Sequence, residues 1–128
     1  MRILLDTHAF LWFLGDGASL GARVLEEVTK PEHELLLSAV SWWELCLKLS
    51  VGKLALEAGW PERFAQEMRT NGIGWLPITR EHILGIVDLP WHHRDPFDRL
   101  LVAQATKEAA VIATHTPAIS LYGVPTIW

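Results

Sequence analysis

Five short apolar runs alternate with segments of helical periodicity, and this alternation constrains the fold more than any other feature of the chain. The predicted strands are Arg2–Leu5, Glu34–Ser38, Trp75–Ile78, Val111–Ala113 and Thr126–Trp128. Runs this short and this apolar are typical of parallel strands that helices cover on both faces. The pattern therefore predicts an α/β fold with one mostly parallel sheet of about five short strands.

The segments between these runs carry apolar residues at helical spacing and end near glycine, asparagine or proline. The predicted helices are Thr7–Leu14, Leu20–Lys30, Ser41–Leu49, Glu62–Thr70, Glu81–Val87 and Pro96–Ala109. No internal repeat, flexible linker or long charge block divides the 128 residues. We therefore expect a single domain over residues 1–128.

Composition excludes several classes of protein. Half of the residues are hydrophobic and 20% are charged, which is unlike a disordered chain. Cys46 is the only cysteine, so a disulfide scaffold is excluded and a reducing compartment is expected. No apolar run is long enough to cross a membrane, and Asp6 interrupts the first one, so we expect neither a signal peptide nor a membrane span and place the protein in the cytoplasm.

The net charge of −4 argues against nucleic-acid binding through a broad basic face. An enzyme that meets nucleic acid through metal ions remains compatible with this charge. The excess of acidic over basic residues is also compatible with a basic partner protein.

Three acidic residues fall just beyond predicted strands or at the start of predicted helices. Asp6 follows the first strand, Glu44 lies on the helix after the second, and Asp98 is in the first turn of the long helix. The carboxyl ends of parallel strands share one edge of a sheet, where ligands bind. Clustered carboxylates repel unless a cation offsets them, and Mg²⁺ prefers oxygen ligands. The acids thus indicate a candidate metal site.

Each acid also has a purely structural interpretation. Asp6 can cap the helix that begins at Thr7, and Ser41 with Glu44 matches a capping box. Asp95 is placed as an N-cap before Pro96, which would leave Asp98 favourably oriented in the helix dipole. Spacing alone leaves both interpretations open.

Four sequence blocks closely resemble the PIN-domain toxins of VapC type. They are Leu4–His8 (LLDTH), Ser41–Glu44, His93–Ala105 (HRDPFDRLLVAQA) and Tyr122–Val124. The resemblance runs in order and in spacing from about residue 2 to residue 128, and the RDPFDRLL-AQA block is its most specific part.

The resemblance implies an α/β/α sandwich and a Mg²⁺- or Mn²⁺-dependent endoribonuclease that leaves 5′-phosphate and 3′-hydroxyl ends on RNA. It further implies a homodimer and inhibition by a VapB-like antitoxin encoded beside the toxin. Asp6 and Asp98 match the family's metal ligands, and Glu44 matches an acid that binds the ion directly or through water. Asp95 belongs to the same block, but we interpret it as a cap.

Thr116 departs from the family's pattern. Related sequences often carry Asp or Asn at this place, two residues beyond a Thr or Ser, and here the segment reads Thr114-His115-Thr116. A hydroxyl brings no charge, although it can hold a water or a phosphate oxygen. We include Thr116 among the catalytic residues and hypothesise a weak second metal site or a one-metal mechanism.

Two other functions remain open from the sequence. The Thr116 departure favours a weakly active or inactive PIN-fold module that only binds an antitoxin-like partner. A phosphatase of another α/β fold would use Asp6 as its nucleophile.

Several further side chains are candidates for contacts around the acids or at the surface. Lys48, Arg94 and Arg99 are near enough in sequence to the acids to meet phosphate, and His93 is expected to be solvated or to face phosphate. One tryptophan of the adjacent pair Trp42 and Trp43 is a candidate for an interface. Trp12, Trp75 and Trp128 are expected in the core.

Overall fold

The structure is a computed structural model that describes all residues from Met1 to Trp128. Its five strands form one sheet in the order β3-β2-β1-β4-β5, and every neighbouring pair is parallel. The strands are β1 (Arg2–Leu5), β2 (Glu34–Ser38), β3 (Ile73–Leu76), β4 (Val111–Ala113) and β5 (Thr126–Ile127). The predicted α/β fold with a parallel sheet of five short strands is confirmed.

Seven α-helices and one short 3-10 helix connect the strands. The α-helices are α1 (Thr7–Leu14), α2 (Ala22–Val28), α3 (Ala39–Ser50), α4 (Trp60–Thr70), α5 (Arg80–Leu84), α6 (Pro96–Glu108) and α7 (Pro117–Ser120). The 3-10 helix covers Gly17–Ser19. No helix is both long enough and apolar enough to cross a membrane.

The sheet has a hydrophobic core on each face, because successive strand residues point to opposite sides. Ile3 and Leu5 of β1 pack in one cluster with residues of α1 to α4. Leu4, between them, packs in the other cluster with α6 and α7. All three side chains are fully buried, so the molecule is layered as helices, sheet and helices.

The central strand β1 creates the place where a site can form. It pairs with β2 on one side and with β4 on the other, with Leu5 opposite both Leu37 and Ala113. The chain thus leaves the middle of the sheet in two directions, and a crevice opens beyond the carboxyl ends of these strands. Asp6 and Thr114 immediately follow β1 and β4 at that edge.

Several element boundaries differ by one to three residues from the sequence prediction, and two of the differences have a clear cause. Strand β3 covers Ile73–Leu76, two residues earlier than predicted, because Leu35 of β2 pairs with Ile73. The predicted burial of Trp75 is wrong: its residue is 49% exposed, since β3 is an edge strand. Helix α2 begins only at Ala22, because Leu20 ends the preceding 3-10 helix.

Candidate functional site

A polar cavity of about 190 Å³ lies beyond the carboxyl edge of the sheet and brings the four sequence-predicted site residues together. Asp6, Glu44, Asp98 and Thr116 all line it. The other lining residues are Thr7, His8, Val40, Ser41, Lys48, Asp95, Phe97 and Leu101. Residues that are distant in sequence therefore share one cavity, as the strand ends predicted.

Asp6 acts as a helix cap and lies in the cavity at the same time. It is 6% exposed, and its Oδ1 accepts a hydrogen bond from the backbone N–H of Ala9 at 2.8 Å. Its Oδ2 accepts from the Thr114 hydroxyl at 2.5 Å. Burial raises the pKa of the Asp6 carboxyl above its usual range, and the nearby Glu44 charge acts in the same direction. The two interpretations of Asp6 are thus compatible.

Glu44 does not form the capping box that the sequence suggested. Helix α3 starts at Ala39, and the Ser38 hydroxyl accepts the capping hydrogen bond from Val40 N–H at 3.0 Å. Glu44 consequently lies in the second turn and reaches α1, where Oε1 accepts from the Thr7 hydroxyl at 2.5 Å. Its Oε2 is 3.2 Å from Lys48 Nζ.

Asp98 enters the cavity from the first turn of α6, and Asp95 holds that turn in place. Asp95 Oδ1 accepts from the backbone N–H groups of Phe97 and Asp98 at 2.9 and 3.0 Å, so its predicted capping role is confirmed. Burial raises the pKa of Asp98, and the charges of Asp95 and Glu44 add to this effect. A hydrogen bond from His93 opposes it.

The two threonines after β4 have different places in the site. The buried Thr114 hydroxyl donates to Asp6 and accepts from the backbone N–H of Thr116 at 3.0 Å. The Thr116 side chain makes no capping hydrogen bond to α7, and Thr116 lines the cavity. Thr114 therefore orients an acid, whereas Thr116 faces the space that a ligand would enter.

His93 is not the solvated or phosphate-facing side chain that the sequence led us to expect, since its side chain is only 19% exposed. Its Nδ1 lies 2.8 Å from the Tyr122 hydroxyl and its Nε2 lies 3.1 Å from Asp98 Oδ2. It therefore links Tyr122 to an acid of the cavity. Tyr122 is 29 residues away, so sequence spacing gives no sign of this contact.

Arg99 does not occupy the phosphate-facing position considered from the sequence. The residue is 3% exposed, and its guanidinium donates to the Pro90 carbonyl at 2.7 Å and to the Tyr122 hydroxyl at 3.0 Å. Lys48, in contrast, does line the cavity, where it is the only lysine or arginine. Arg94 lies on the adjoining loop.

The donor set of the cavity fits a hydrated hard cation rather than a closed metal cage. No group of three or more His, Cys, Asp or Glu side chains is close enough to hold one ion together. Yet Glu44 interacts electrostatically with both Asp6 and Asp98. Mg²⁺ commonly takes one or two carboxylates and completes its shell with water and substrate oxygens. Asp6, Glu44 and Asp98 offer oxygens of this kind.

Solved structures with the same fold are bacterial protein complexes. VapBC2 from Rickettsia felis, bound to a promoter DNA fragment, has a TM-score of 0.72 at 13% identity, with 99% of this chain and 98% of that chain covered. VapBC-1 from nontypeable Haemophilus influenzae has a TM-score of 0.71 at 19% identity, with 99% and 97% covered. FitAcB from Neisseria gonorrhoeae has a TM-score of 0.66 at 17% identity, with 98% and 96% covered.

At these low identities, the similarity shows that the fold is shared. A comparison with curated proteins found no significant match to the chain. The model of the PIN domain matches residues 3–117, which include all the acids that line the cavity and both threonines after β4. Because this match covers most of its length, the chain belongs to the PIN domain family.

Proposed function

We propose that this protein is a metal-dependent endoribonuclease and the toxin of a toxin–antitoxin pair. PIN domains are generally nucleases, and the structural neighbours are VapBC and FitAB complexes. The observation that carries the proposal is the convergence of Asp6, Glu44 and Asp98 from three separate elements on one cavity. The proposed products are RNA fragments with 5′-phosphate and 3′-hydroxyl ends.

Asp6 and Asp98 are the proposed ligands of a Mg²⁺ or Mn²⁺ ion, and Glu44 binds it directly or through water. When bound, such an ion makes water more acidic and stabilises negative charge on phosphoryl oxygens. Thr114 fixes Asp6 through its 2.5 Å hydrogen bond. Lys48 offers a positive charge to an RNA phosphate, and its ion pair with Glu44 keeps it at the cavity.

Thr116 supports a site with one firmly held ion. Its neutral hydroxyl lines the cavity at the place where the family pattern has an acid or amide, so less negative charge is available for a second ion. We propose that Thr116 holds a water or a phosphate oxygen. Crystals soaked in Mn²⁺ test this: one fully occupied ion is expected, and two would contradict it.

The first test is cleavage of a mixed tRNA and rRNA pool with Mg²⁺, with Mn²⁺ and with EDTA. Discrete fragments are expected with the metals and none with EDTA, Asp6→Asn or Asp98→Asn. Asp88→Asn is the matched control, because Asp88 is exposed and outside the cavity. Mapping the fragment ends checks the products.

An inactive module is the second candidate, and the absent acid at Thr116 is the observation that favours it. Folded protein, free of any bound partner, that leaves all of these RNAs intact would support this candidate and contradict the nuclease.

We propose a VapB-like antitoxin as the protein partner. The structural neighbours are complexes of this kind, and an apolar groove between α1 and α4 offers a binding surface. Its apolar lining consists of Leu11, Leu14, Leu54, Leu56 and Phe64. Co-expression with the product of the adjacent reading frame tests the proposal: a stable complex without RNA cleavage is expected, whereas two proteins that elute separately would contradict it.

A homodimer and a single-domain organisation complete the proposal. Helix α3 and its C-cap residue Val51 carry an exposed apolar stripe of Trp43, Leu47 and Val51, spaced four residues apart. Residues 1–128 are the proposed domain, because both core clusters pack on the same sheet.

The proposed compartment is the cytoplasm, where the proposed RNA substrates are.

A further inference from the structure

The loop before α6 carries an exposed aromatic and cationic surface beside the proposed metal site. Trp91 is 75% exposed, and His92 and Arg94 are also exposed. Together with His93 they line a shallow open depression. Arg94 has no carboxylate partner in the structure.

Arg99 holds the Trp91 ring from one side. Its guanidinium carbon is 3.8 Å from the ring centroid, and hydrogen bonds to Pro90 and Tyr122 fix the guanidinium itself. Arg99 also lacks a carboxylate partner, so its charge is uncompensated beneath the ring. Trp91 nevertheless remains 75% exposed, so most of the indole is open to solvent. A ring fixed in this way loses little conformational entropy when a ligand stacks on it.

This surface adjoins the catalytic cavity. His93, in the same loop, lies 3.1 Å from Asp98, and Arg94 immediately precedes the cavity-lining Asp95. If one monomer of a linear polymer occupied the cavity, a neighbouring monomer would therefore lie near the Trp91 ring.

We propose that Trp91 is a stacking platform for one base of single-stranded RNA, with Arg94 contacting an adjacent phosphate. Nucleobases stack on exposed aromatic rings, and single-stranded RNA presents bases and phosphates together. The exposed charge of Arg94, which has no carboxylate partner, favours this anionic polymer over a neutral apolar segment. The inference rests on the proposed ribonuclease function and defines a substrate contact for it.

Binding of a fluorescein-labelled single-stranded RNA of about 12 nucleotides tests the platform. Fluorescence anisotropy is measured with Mg²⁺ in an Asp6→Asn background, so that the RNA stays intact. Trp91→Ala should weaken binding by about 5- to 100-fold, and Trp91→Phe should restore most of it, since a ring face remains. Trp75→Ala, at a half-exposed tryptophan outside the cavity, should leave affinity unchanged.

An RNA series with one abasic position at a time locates the stacked base. Removal of the base at one position should weaken RNA binding to the protein that retains Trp91. The same removal should have no effect on the affinity of Trp91→Ala, which has no ring for that base to stack on. Arg94→Ala should lower the slope of log affinity against log salt by about 1, the change for one lost phosphate contact. In protein that retains Asp6, Trp91→Ala should raise KM and leave kcat nearly unchanged.

The outcomes separate this inference from the proposed function. RNA that the wild type and Trp91→Ala bind and cut equally well would overturn the platform alone. Protein with its native cavity that neither binds nor cuts any RNA would overturn the ribonuclease and the platform with it.

Discussion

At the residue scale, burial of the cavity's carboxylates lowers the stability of the metal-free protein, and the proposed cation would offset this cost. Asp98 illustrates this, because burial raises its pKa and two neighbouring acids, Asp95 and Glu44, add to the effect. The folded protein therefore holds this proton more tightly than the unfolded chain does. The charged form is tolerated only at a cost while no cation compensates it.

The stability of the metal-free protein should depend on pH through Asp98. Since its folded pKa is raised, its contribution is most favourable below the unfolded value of about 3.9 and is lost as pH rises through the folded pKa. In EDTA at pH 7, Asp98→Asn should exceed the wild type in unfolding free energy by roughly 0.5–2 kcal/mol.

Urea unfolding from pH 3.5 to pH 8 measures this difference. The two proteins should converge at the acid end, and Mn²⁺ should reverse their order at pH 7 by stabilising only the wild type. Parallel stability curves over the whole range would contradict the prediction.

His93 should position Asp98 for metal binding. Loss of a side chain that orients a metal ligand typically weakens metal affinity by about 10- to 100-fold, so His93→Ala should show a loss of this size in Mn²⁺ titration calorimetry. His93→Gln retains an N–H donor and should recover part of it. His92→Ala is the control, because His92 packs on Tyr122 without a hydrogen bond to Asp98.

At the element scale, the start of each helix decides which acids are free to face the cavity. Helix α6 has its own cap in Asp95, which leaves Asp98 available. Helix α3 takes Ser38 as its cap, which leaves Glu44 available. The sequence predicted the first arrangement correctly. For the second it left a capping box of Ser41 and Glu44 open as an alternative and placed the helix start at Ser41, because Ser38 and Ser41 are both good caps and only the end of β2 selects between them.

Substitution of Asp95 should lower the unfolding free energy more than it lowers RNA cleavage. Asp95→Ala removes the acceptor of two backbone N–H groups and should cost about 0.5–2 kcal/mol in unfolding free energy. Asp95→Asn keeps a capping oxygen and should retain most of the stability and RNA cleavage. If Asp95→Asn were as inactive as Asp98→Asn, Asp95 would be a ligand as well as a cap.

At the scale of the whole molecule, short apolar runs were enough to predict the parallel sheet, since burial on both faces determines their composition. The convergence of the acids followed from strand ends and from the family resemblance. The supporting contacts did not: Thr114 and Asp6 are 108 residues apart, and only the pairing of β1 with β4 brings them together. The exposure of Trp75 likewise depends on the strand order.

The apolar stripe on α3 should join two copies of the protein. Leu47→Glu places a charge at the centre of Trp43, Leu47 and Val51 and should convert a dimer to a monomer in light scattering after size-exclusion chromatography. Leu25→Glu is the matched control, since Leu25 is 42% exposed and Leu47 44%. A wild type that is monomeric at every concentration would contradict the proposed dimer.

The position of β1 in the middle of the sheet also has a consequence during synthesis on the ribosome. The strand emerges first, yet one of its two neighbours is β4, and the hydroxyl that fixes Asp6 belongs to Thr114. A nascent chain therefore has no completed cavity until residue 114 has left the exit tunnel and β4 has paired. We therefore expect the proposed ribonuclease to be unable to cut any RNA, including its own template, until Thr114 has emerged from the ribosome.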